Sequence, residues 1–484
     1  MTLAPPRATR RPLIETRPLR HPDTSDSGMM AKRGWWLIVL NVLLPGSAQV
    51  LAGNRRLGRF GLGATLLAWF LVIVTLGLAL FARPALLWIT IGGGFLSAAV
   101  LTIVQVLLVA YVVLWIVLTF DTLRLVRLVR VPGASRLAIP VVALVLLGLV
   151  GGGAGYAATA VGSVRSTVGA IFGQSGPSVE PSDGYYNILL LGADSGDGRD
   201  SMRFDSISVV SVNADTGAVT ITGIPRELPN APFSDGSPMQ ELYPNGFEGH
   251  SSSSCGWNGW MNHVRNAAEV CREDGGAGLY PDAAAAGSEP GIEATKDAAE
   301  GVLGIEIPYY VFVDMHGFAE LVDALGGVDI NVTERLPKGG PPEGWTGSDV
   351  NEWAIGWIEP GQQRMDGDTA QWYARSRYTT SDWDRMKRQR ELQAAILAQF
   401  TPQTVLTRFN EVAAAGTALI STDLPSDKLP EFFDLILKAK EQPVTTIELT
   451  PEFGVDEHQP DYAYIRDMIQ QKLHPPTESP TPTP

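Results

Sequence analysis

Arg203 and Asp205 sit just before a strand-like run, Ser206–Asn213 (SISVVSVN), and Arg226 sits just after another, Ala218–Ile224 (AVTITGI). The residues between them, Ala214-Asp215-Thr216-Gly217, read as a hairpin turn. Folding about Asp215 places residues 205 and 225 opposite one another and gathers Arg203, Asp205 and Arg226 at the open end of the hairpin. Asp194 opens a Gly-rich turn after the apolar run Tyr186–Gly192, and reaches the same edge if that run is a neighbouring strand. Arg375 and Arg377 project to a common side if the chain is extended there, and Arg385 and Gln389 share a helix face at i, i+4 spacing. Five arginines and two acids at the ends of elements suit a phosphate or pyrophosphate accompanied by a divalent cation. Guanidinium forks match phosphate oxygens two at a time and stay charged. Carboxylate oxygens hold Mg²⁺ or Mn²⁺, with water and phosphate completing the shell. The competing reading is a set of surface salt bridges on an acidic domain. The stretch Asp194–Asp200 lacks the alternating ligands and closing Glu of a calcium loop. Walker lysine, Gly-x-Ser-x-Gly and His-Glu-x-x-His patterns do not occur, which removes three enzyme classes.

These residues need a scaffold, and the pattern predicts one. Tyr186–Gly192 has buried-strand length, and Tyr309–Asp314 and Val328–Val332 read as further strands around a helix at Gly317–Leu325. Asp366–Ala374 reads as a helix. Ser381 or Asp382 caps a longer one, Asp384–Phe400, with Leu392, Ile396 and Phe400 as its core stripe. Strands and helices alternate after the first hairpin, so the expected class is α/β, a mixed sheet flanked by helices.

Charge and hydropathy divide the 484 residues. Residues 1–136 carry a net charge of +11 and the remainder −25, against −14 overall. Apolar runs occupy 34–52, 60–82, 84–120 and 137–161. A bilayer core of ~30 Å takes about 20 apolar residues per helical crossing. The second and fourth runs fit one crossing each. The 84–120 run is either one crossing with long interfacial ends or a hairpin broken near Gly92–Gly94, and the first, interrupted by Pro45-Gly46, has the look of a re-entrant segment. Seven cations from Arg7 to Arg33, and Arg124, Arg127, Arg130 and Arg136 before the last run, favour the cytoplasmic side. Everything after about Val161 is then extracytoplasmic, on a multi-pass membrane anchor. Four full crossings conflict with a basic N-terminus inside, so a re-entrant first segment or a split third one is expected. The apolar stretches are too long for a cleavable signal peptide. An acidic exported part argues against nucleic acid.

The expected plan is a basic N-terminus at 1–33, about four apolar segments over 34–161, a linker at 162–184, a catalytic domain at 185–402 with an insertion at 228–291, its C-terminal part at 403–472, and a disordered Pro-rich tail at 473–484. Cys255 and Cys271 both fall in the exported part, where a disulfide is the natural state. His250 and His263 lie nearby without metal-ligand spacing. The insertion is a lid or acceptor-binding element, or else a decorative loop. Its Trp257 and Trp260 either stack on sugar rings or serve structure.

Five blocks, in order, resemble the LytR–CpsA–Psr family of bacterial envelope proteins. They are Asn187–Asp194 (NILLLGAD), Arg203–Ser206 (RFDS, where the family has R-S-D-T/S), Ile224–Glu227 (IPRE, where I-P-R-D is usual), Gly317–Val332 (GFAELVDALGGVDINV) and Gly361–Gln389 (GQQRMDGDTAQWYARSRYTTSDWDRMKRQ). The resemblance implies transfer of a glycopolymer from a polyprenyl-(pyro)phosphate carrier to peptidoglycan through a phosphodiester link. It implies an apolar tunnel for the lipid tail. It places Mg²⁺ (or Mn²⁺) on Asp194 and Asp205, pyrophosphate on Arg203, Arg226, Arg375, Arg377 and Arg385 with Gln389 alongside, and catalysis on Arg203, Asp205 and Arg226. Glu227 retains a carboxylate at the changed position, and His316 reads as a turn residue and not a base. Expected partners are the lipid-linked glycan, peptidoglycan, membrane lipid and wall-synthesis proteins. The rivals are a polyprenyl-pyrophosphate hydrolase, with water attacking at the same site, and a non-catalytic scaffold that binds lipid-linked intermediates.

Overall fold

Pro45-Gly46 ends the first apolar run early. Asp26 accepts hydrogen bonds from the backbone of Gly28 and Met29 and starts helix α1 (Ser27–Leu43). Gly46 has φ 96°, and a Cβ there would lie 2.4 Å from the backbone nitrogen of Leu62. Only glycine allows the short helix α2 (Ser47–Ala52) to turn back against α3 (Arg55–Phe81). This is a computed structural model, and it describes residues 19–92, 94–171, 176–193, 203–342, 344–399, 420–440 and 442–475. The chain forms two units, a helical one over Met1–Thr90 and Phe95–Arg165 and a mixed one that takes in Ser166–Pro484.

In the helical unit, buried Asn41 donates to Thr119 Oγ1 and buried Gln49 donates to Leu118 O and Thr122 Oγ1. These bonds fix α1 and α2 against α5 (Gly94–Val126). The 84–120 run does break at its glycines, but the piece before the break, α4 (Arg83–Ile91), has nine residues and cannot cross a bilayer. Among the described residues, three helices are long and apolar enough to cross a membrane: Arg55–Phe81, Leu96–Arg130 and Gly133–Ser163. The first run contributes none because Pro45-Gly46 cuts it. The last helix, α6, runs from Gly133 to Ile171, so the expected linker at 162–184 begins as helix.

In the mixed unit a six-stranded sheet has the order β10-β3-β2-β1-β4-β9. Its strands are β1 (Tyr185–Ala193), β2 (Phe204–Asn213), β3 (Val219–Ile224), β4 (Tyr309–Asp314), β9 (Ile420–Thr422) and β10 (Thr445–Glu448). β1–β2, β2–β3 and β4–β9 are antiparallel, whereas β1–β4 and β3–β10 are parallel. Residues 403–472 therefore supply two strands of the central sheet. Two small antiparallel ladders, β5 (Val328–Val332) with β8 (Gly361–Met365) and β6 (Leu336–Lys338) with β7 (Gly356–Ile358), stand beside it.

Period-2 alternation along the strands gives the sheet two different faces. On one, Leu189, Leu191, Phe204 and Val209 pack with Ala294, Ala298 and Val302 of one helix (Pro290–Leu303) and Ile465 and Ile469 of another (Tyr462–Leu473). Leu228, Phe233, Phe247, Met261 and Val264 of the 228–291 insertion are buried in the same core. That insertion is thus integral to the fold and not a decorative loop. The opposite face meets helices at Met315–Leu325, Gly367–Arg375, Asp382–Gln399 and Leu429–Ala439. The linker docks rather than hangs: Gly176 donates to Asp423 O and Val179 donates to the Tyr309 hydroxyl. Residues 476–484 of the Pro-rich tail lie outside the described residues.

Candidate phosphate site at the mouth of an apolar cavity

The hairpin register sets the site. Ile207 pairs with Ile224 and Ser211 with Thr220, so extending the ladder puts Asp205 level with Arg226, one residue from the expected partner. Arg226 Nη1 meets Asp205 Oδ1 at 2.6 Å and Nη2 meets Glu227 Oε1 at 3.1 Å. β1 is the neighbour of β2, with Ala193 opposite Phe204. Asp194 itself lies outside the described residues.

The third carboxylate comes from the helix Asp382–Gln399. Ser381 Oγ accepts from Asp384 N, and the Asp384 carboxylate accepts in return from Ser381, a reciprocal cap that starts the helix. This leaves Asp382 to the arginines. Arg385 grips it with two bonds, Nε and Nη2 each 3.0 Å from a carboxylate oxygen, while Arg226 Nη2 and Arg377 Nη1 stand 3.9 Å away. Arg385 Nη1 also donates to Asp205 O at 3.1 Å. Burial alone would raise the Asp382 pKa, but these guanidiniums outweigh it and hold the group below the usual carboxylate range. Asp382 is the hub of the cluster, and the sequence reading used it only as a possible cap. Its spacing of three before Arg385 was the available signal.

Arg375 ends its helix, whose N-cap is Asp366, and its guanidinium lies 5.2 Å from the Trp372 ring centre. The two arginines therefore do not share an extended side. Ser376 leaves the helix, and buried Arg388 fixes the exit by donating to the backbone oxygens of Tyr373 and Ser376 and to Thr380. Arg377 emerges half exposed beside Asp382. Gln389 Nε2 donates to Ala374 O at 3.3 Å. Arg203 lies not against Asp205 but against His263, Nη1 to Nε2 at 3.2 Å. Burial and the Arg203 charge push the His263 pKa down, so the ring accepts at Nε2 as a neutral imidazole. Sequence proximity gave no hint of this 60-residue link. His316 belongs to the helix Met315–Leu325 and not to a turn.

Behind the cluster lies a cavity of about 380 Å³. Leu190, Val210, Val311, Phe318, Leu392 and Ile396 line it with other aliphatic side chains, and Ser206 and Gln389 are the members next to Asp205 and Arg385. Charge gathers beside the apolar lining, an arrangement that can take an amphiphile with an anionic head.

Mg²⁺ commonly takes one or two protein carboxylates and fills its shell with water and phosphate oxygens. Asp205, 38% exposed with one oxygen on Arg226, fits that role. Among the described residues, no group of three or more His, Cys, Asp or Glu could hold a metal by itself. The donors thus suit an ion shared with a phosphate, not a protein cage.

Residues 273–474 match the LytR_cpsA_psr family model. Arg375, Arg377, Asp382, Arg385 and Gln389 fall inside the matched stretch; Arg203, Asp205 and Arg226 precede it. Biofilm regulatory protein A of Streptococcus mutans is 25% identical over 264 residues, 52% of each chain. A polyisoprenyl-teichoic acid–peptidoglycan teichoic acid transferase TagU of Halalkalibacterium halodurans is 25% identical over 249 residues, 51% of this chain and 63% of that one. The chain spans about half the length of the curated relatives it matches. Among solved structures, protein gbs0355 of Streptococcus agalactiae aligns over 60% of this chain and 88% of its own, with TM-score 0.41 and 19% identity.

Proposed function

We propose that this protein is a membrane-anchored, extracytoplasmic transferase. It moves a glycopolymer from a polyprenyl-pyrophosphate carrier to peptidoglycan and leaves a phosphodiester link. The observation that carries the reading is the cluster of Arg226, Arg377, Arg385, Asp205 and Asp382, two of which neighbour Ser206 and Gln389 in the lining of an otherwise apolar cavity. The teichoic acid transferase named among the relatives supports it.

In this reading the polyprenyl tail occupies the cavity and the pyrophosphate lies against the arginines. An acceptor sugar hydroxyl attacks the phosphorus bonded to the glycan. The new P–O bond forms as the P–O bond to polyprenyl phosphate breaks, and the hydroxyl proton leaves to solvent. The guanidiniums offset charge that builds on the leaving phosphate, which is positioning and electrostatic stabilisation. Asp382 holds three of them in one orientation, and Arg388 holds the turn that presents Arg377. Asp205, with Asp194, would hold Mg²⁺, which supplies further charge neutralisation when bound.

Orientation follows from the same anchor. Arg33 Nη1 donates to Leu125 O at 2.8 Å, which puts Arg33 and the basic segment after Leu125 at one end of the helical unit. Three crossings with those segments inside send residues beyond α6 outside.

The test is the full-length protein in detergent with a polyprenyl-pyrophosphate glycan, Mg²⁺ and an acceptor glycan. Polyprenyl phosphate release that depends on acceptor, and falls at least about a hundredfold in Arg377→Ala and Asp205→Ala, supports transfer. Release indifferent to acceptor would favour a hydrolase, and lipid binding without turnover would favour a scaffold.

A further inference from the structure

The 228–291 insertion presents an open groove of about 740 Å³, walled by Gly249–Ser252, Gly256–Trp260 and His263. We infer that this groove is a saccharide subsite, in which Trp257 and Trp260 stack on sugar rings of the acceptor glycan. The inference rests on the transferase reading and adds where the acceptor binds.

Three observations meet here. The first is position. In phosphoryl transfer the attacking and leaving oxygens lie roughly in line across phosphorus. The lipid cavity lies on one face of the central sheet, and the insertion packs into the core of the other. With the leaving lipid on one face, an approach from the side of the groove is compatible with in-line attack.

The second is attachment to the reactive end. Asn262 N donates to Arg226 O at 2.9 Å, Met261 N to Leu228 O at 3.0 Å, and Asn230 N to Gly259 O at 2.9 Å. His263, in the groove wall, contacts Arg203. A disulfide between Cys255 and Cys271, with Cα atoms 5.6 Å apart, holds the same segment and limits the ordering lost on binding.

The third is chemistry. Trp257 Nε1 donates to Glu248 O, and its ring lies 4.6 Å from that of His250. Trp260 is 37% exposed, unusual for so large a ring. Ser251, Ser252 and Asn258 supply hydroxyl and amide groups, and no Lys, Arg, Asp or Glu is among the lining residues. Aromatic faces with neutral hydrogen-bonding groups suit an uncharged sugar, and the lack of cations disfavours a second phosphate.

The experiment titrates the full-length protein in detergent with chitotetraose, a β-linked N-acetylglucosamine tetramer, by calorimetry. Binding of the polyprenyl-pyrophosphate glycan is measured in parallel. Trp260→Ala should weaken chitotetraose about tenfold, which corresponds to about 1.4 kcal/mol, and Trp260→Phe should retain most of the affinity, because stacking needs only an aromatic face. Donor binding should be unchanged in both variants. Donor binding intact but chitotetraose unbound by the wild type, or bound equally by Trp260→Ala, would overturn the subsite. Should Trp260→Ala lose donor binding through misfolding, Trp260→Phe still decides, since loss of sugar affinity there with donor binding retained would count against stacking. A wild type that binds no donor would overturn the transferase reading and the subsite together.

Discussion

At the scale of single residues, Asp382 organises the site. Arg226, Arg377 and Arg385 would repel one another if left alone, and one carboxylate within 4 Å of all three holds them together. Asp382→Asn keeps the shape but removes the charge. It should lower turnover by about a hundredfold while donor affinity holds or rises, because the arginines stay but lose their common orientation. Turnover and donor titration of the variant decide this, and unchanged turnover would count against the hub. Arg377→Lys should lose about tenfold, since an ammonium cannot reproduce a planar two-point grip. Much of this cluster was legible from the sequence. The turn Ala-Asp-Thr-Gly fixed the hairpin well enough to bring Asp205 and Arg226 together, with a one-residue slip because the ladder closes between Asn213 and Ala218. Asp382 was missed because a helix N-terminus already explained an acid there. The Arg203–His263 contact was missed because no spacing rule links residues 60 apart across two strands and a long loop.

At the scale of elements, a buried pair ties the site helix to the sheet. Arg390 donates to Ser206 Oγ on β2, and its Nε lies 3.7 Å from Glu448 Oε1 on β10. Gly223 makes room for that glutamate, since a Cβ there would meet its oxygen at 2.1 Å. Burial pushes the Glu448 pKa up to about 7 despite Arg390. A carboxyl whose folded pKa lies above its unfolded one near 4.5 favours folding most below the unfolded value. That contribution is lost as pH rises towards 7. Thermal unfolding followed from pH 4.5 to 8 should therefore show falling stability that Glu448→Gln flattens. Identical slopes in both proteins would exclude Glu448 as the source. The disulfide acts on the insertion. A closed loop of this size is worth about 3 kcal/mol. Cys255→Ser should speed amide exchange over residues 247–263, and unchanged exchange would show that the hydrophobic core alone holds the segment. Apolar periodicity gave the strands and site helices away. The insertion's core role stayed hidden because Phe233, Phe247 and Met261 are isolated apolar residues in a Ser/Gly-rich stretch without helical or strand period.

At the scale of the whole molecule, a helical anchor precedes an acidic domain, whose proposed substrate is a lipid-borne phosphate. Hydropathy found every apolar run, and Pro45-Gly46 and Gly92–Gly94 marked the breaks, but run length does not reveal that the piece before the second break is a nine-residue helix. Topology has its own check. A cysteine at Asp456, an exposed position, should react with a membrane-impermeant maleimide on intact cells, and one at Ala134 should react only after lysis. The reverse pattern would invert the anchor. The central claim, that cavity and arginine cluster serve one amphiphilic donor, is tested most directly by varying the lipid tail. Donors with the same pyrophosphate glycan head on long and short polyprenyl chains would be compared for kcat/KM, with the wild type and with Leu321→Trp, which narrows the cavity. The account predicts a strong advantage for the long tail that Leu321→Trp abolishes while short-tail turnover persists. Equal kcat/KM for both tails in the wild type would contradict it.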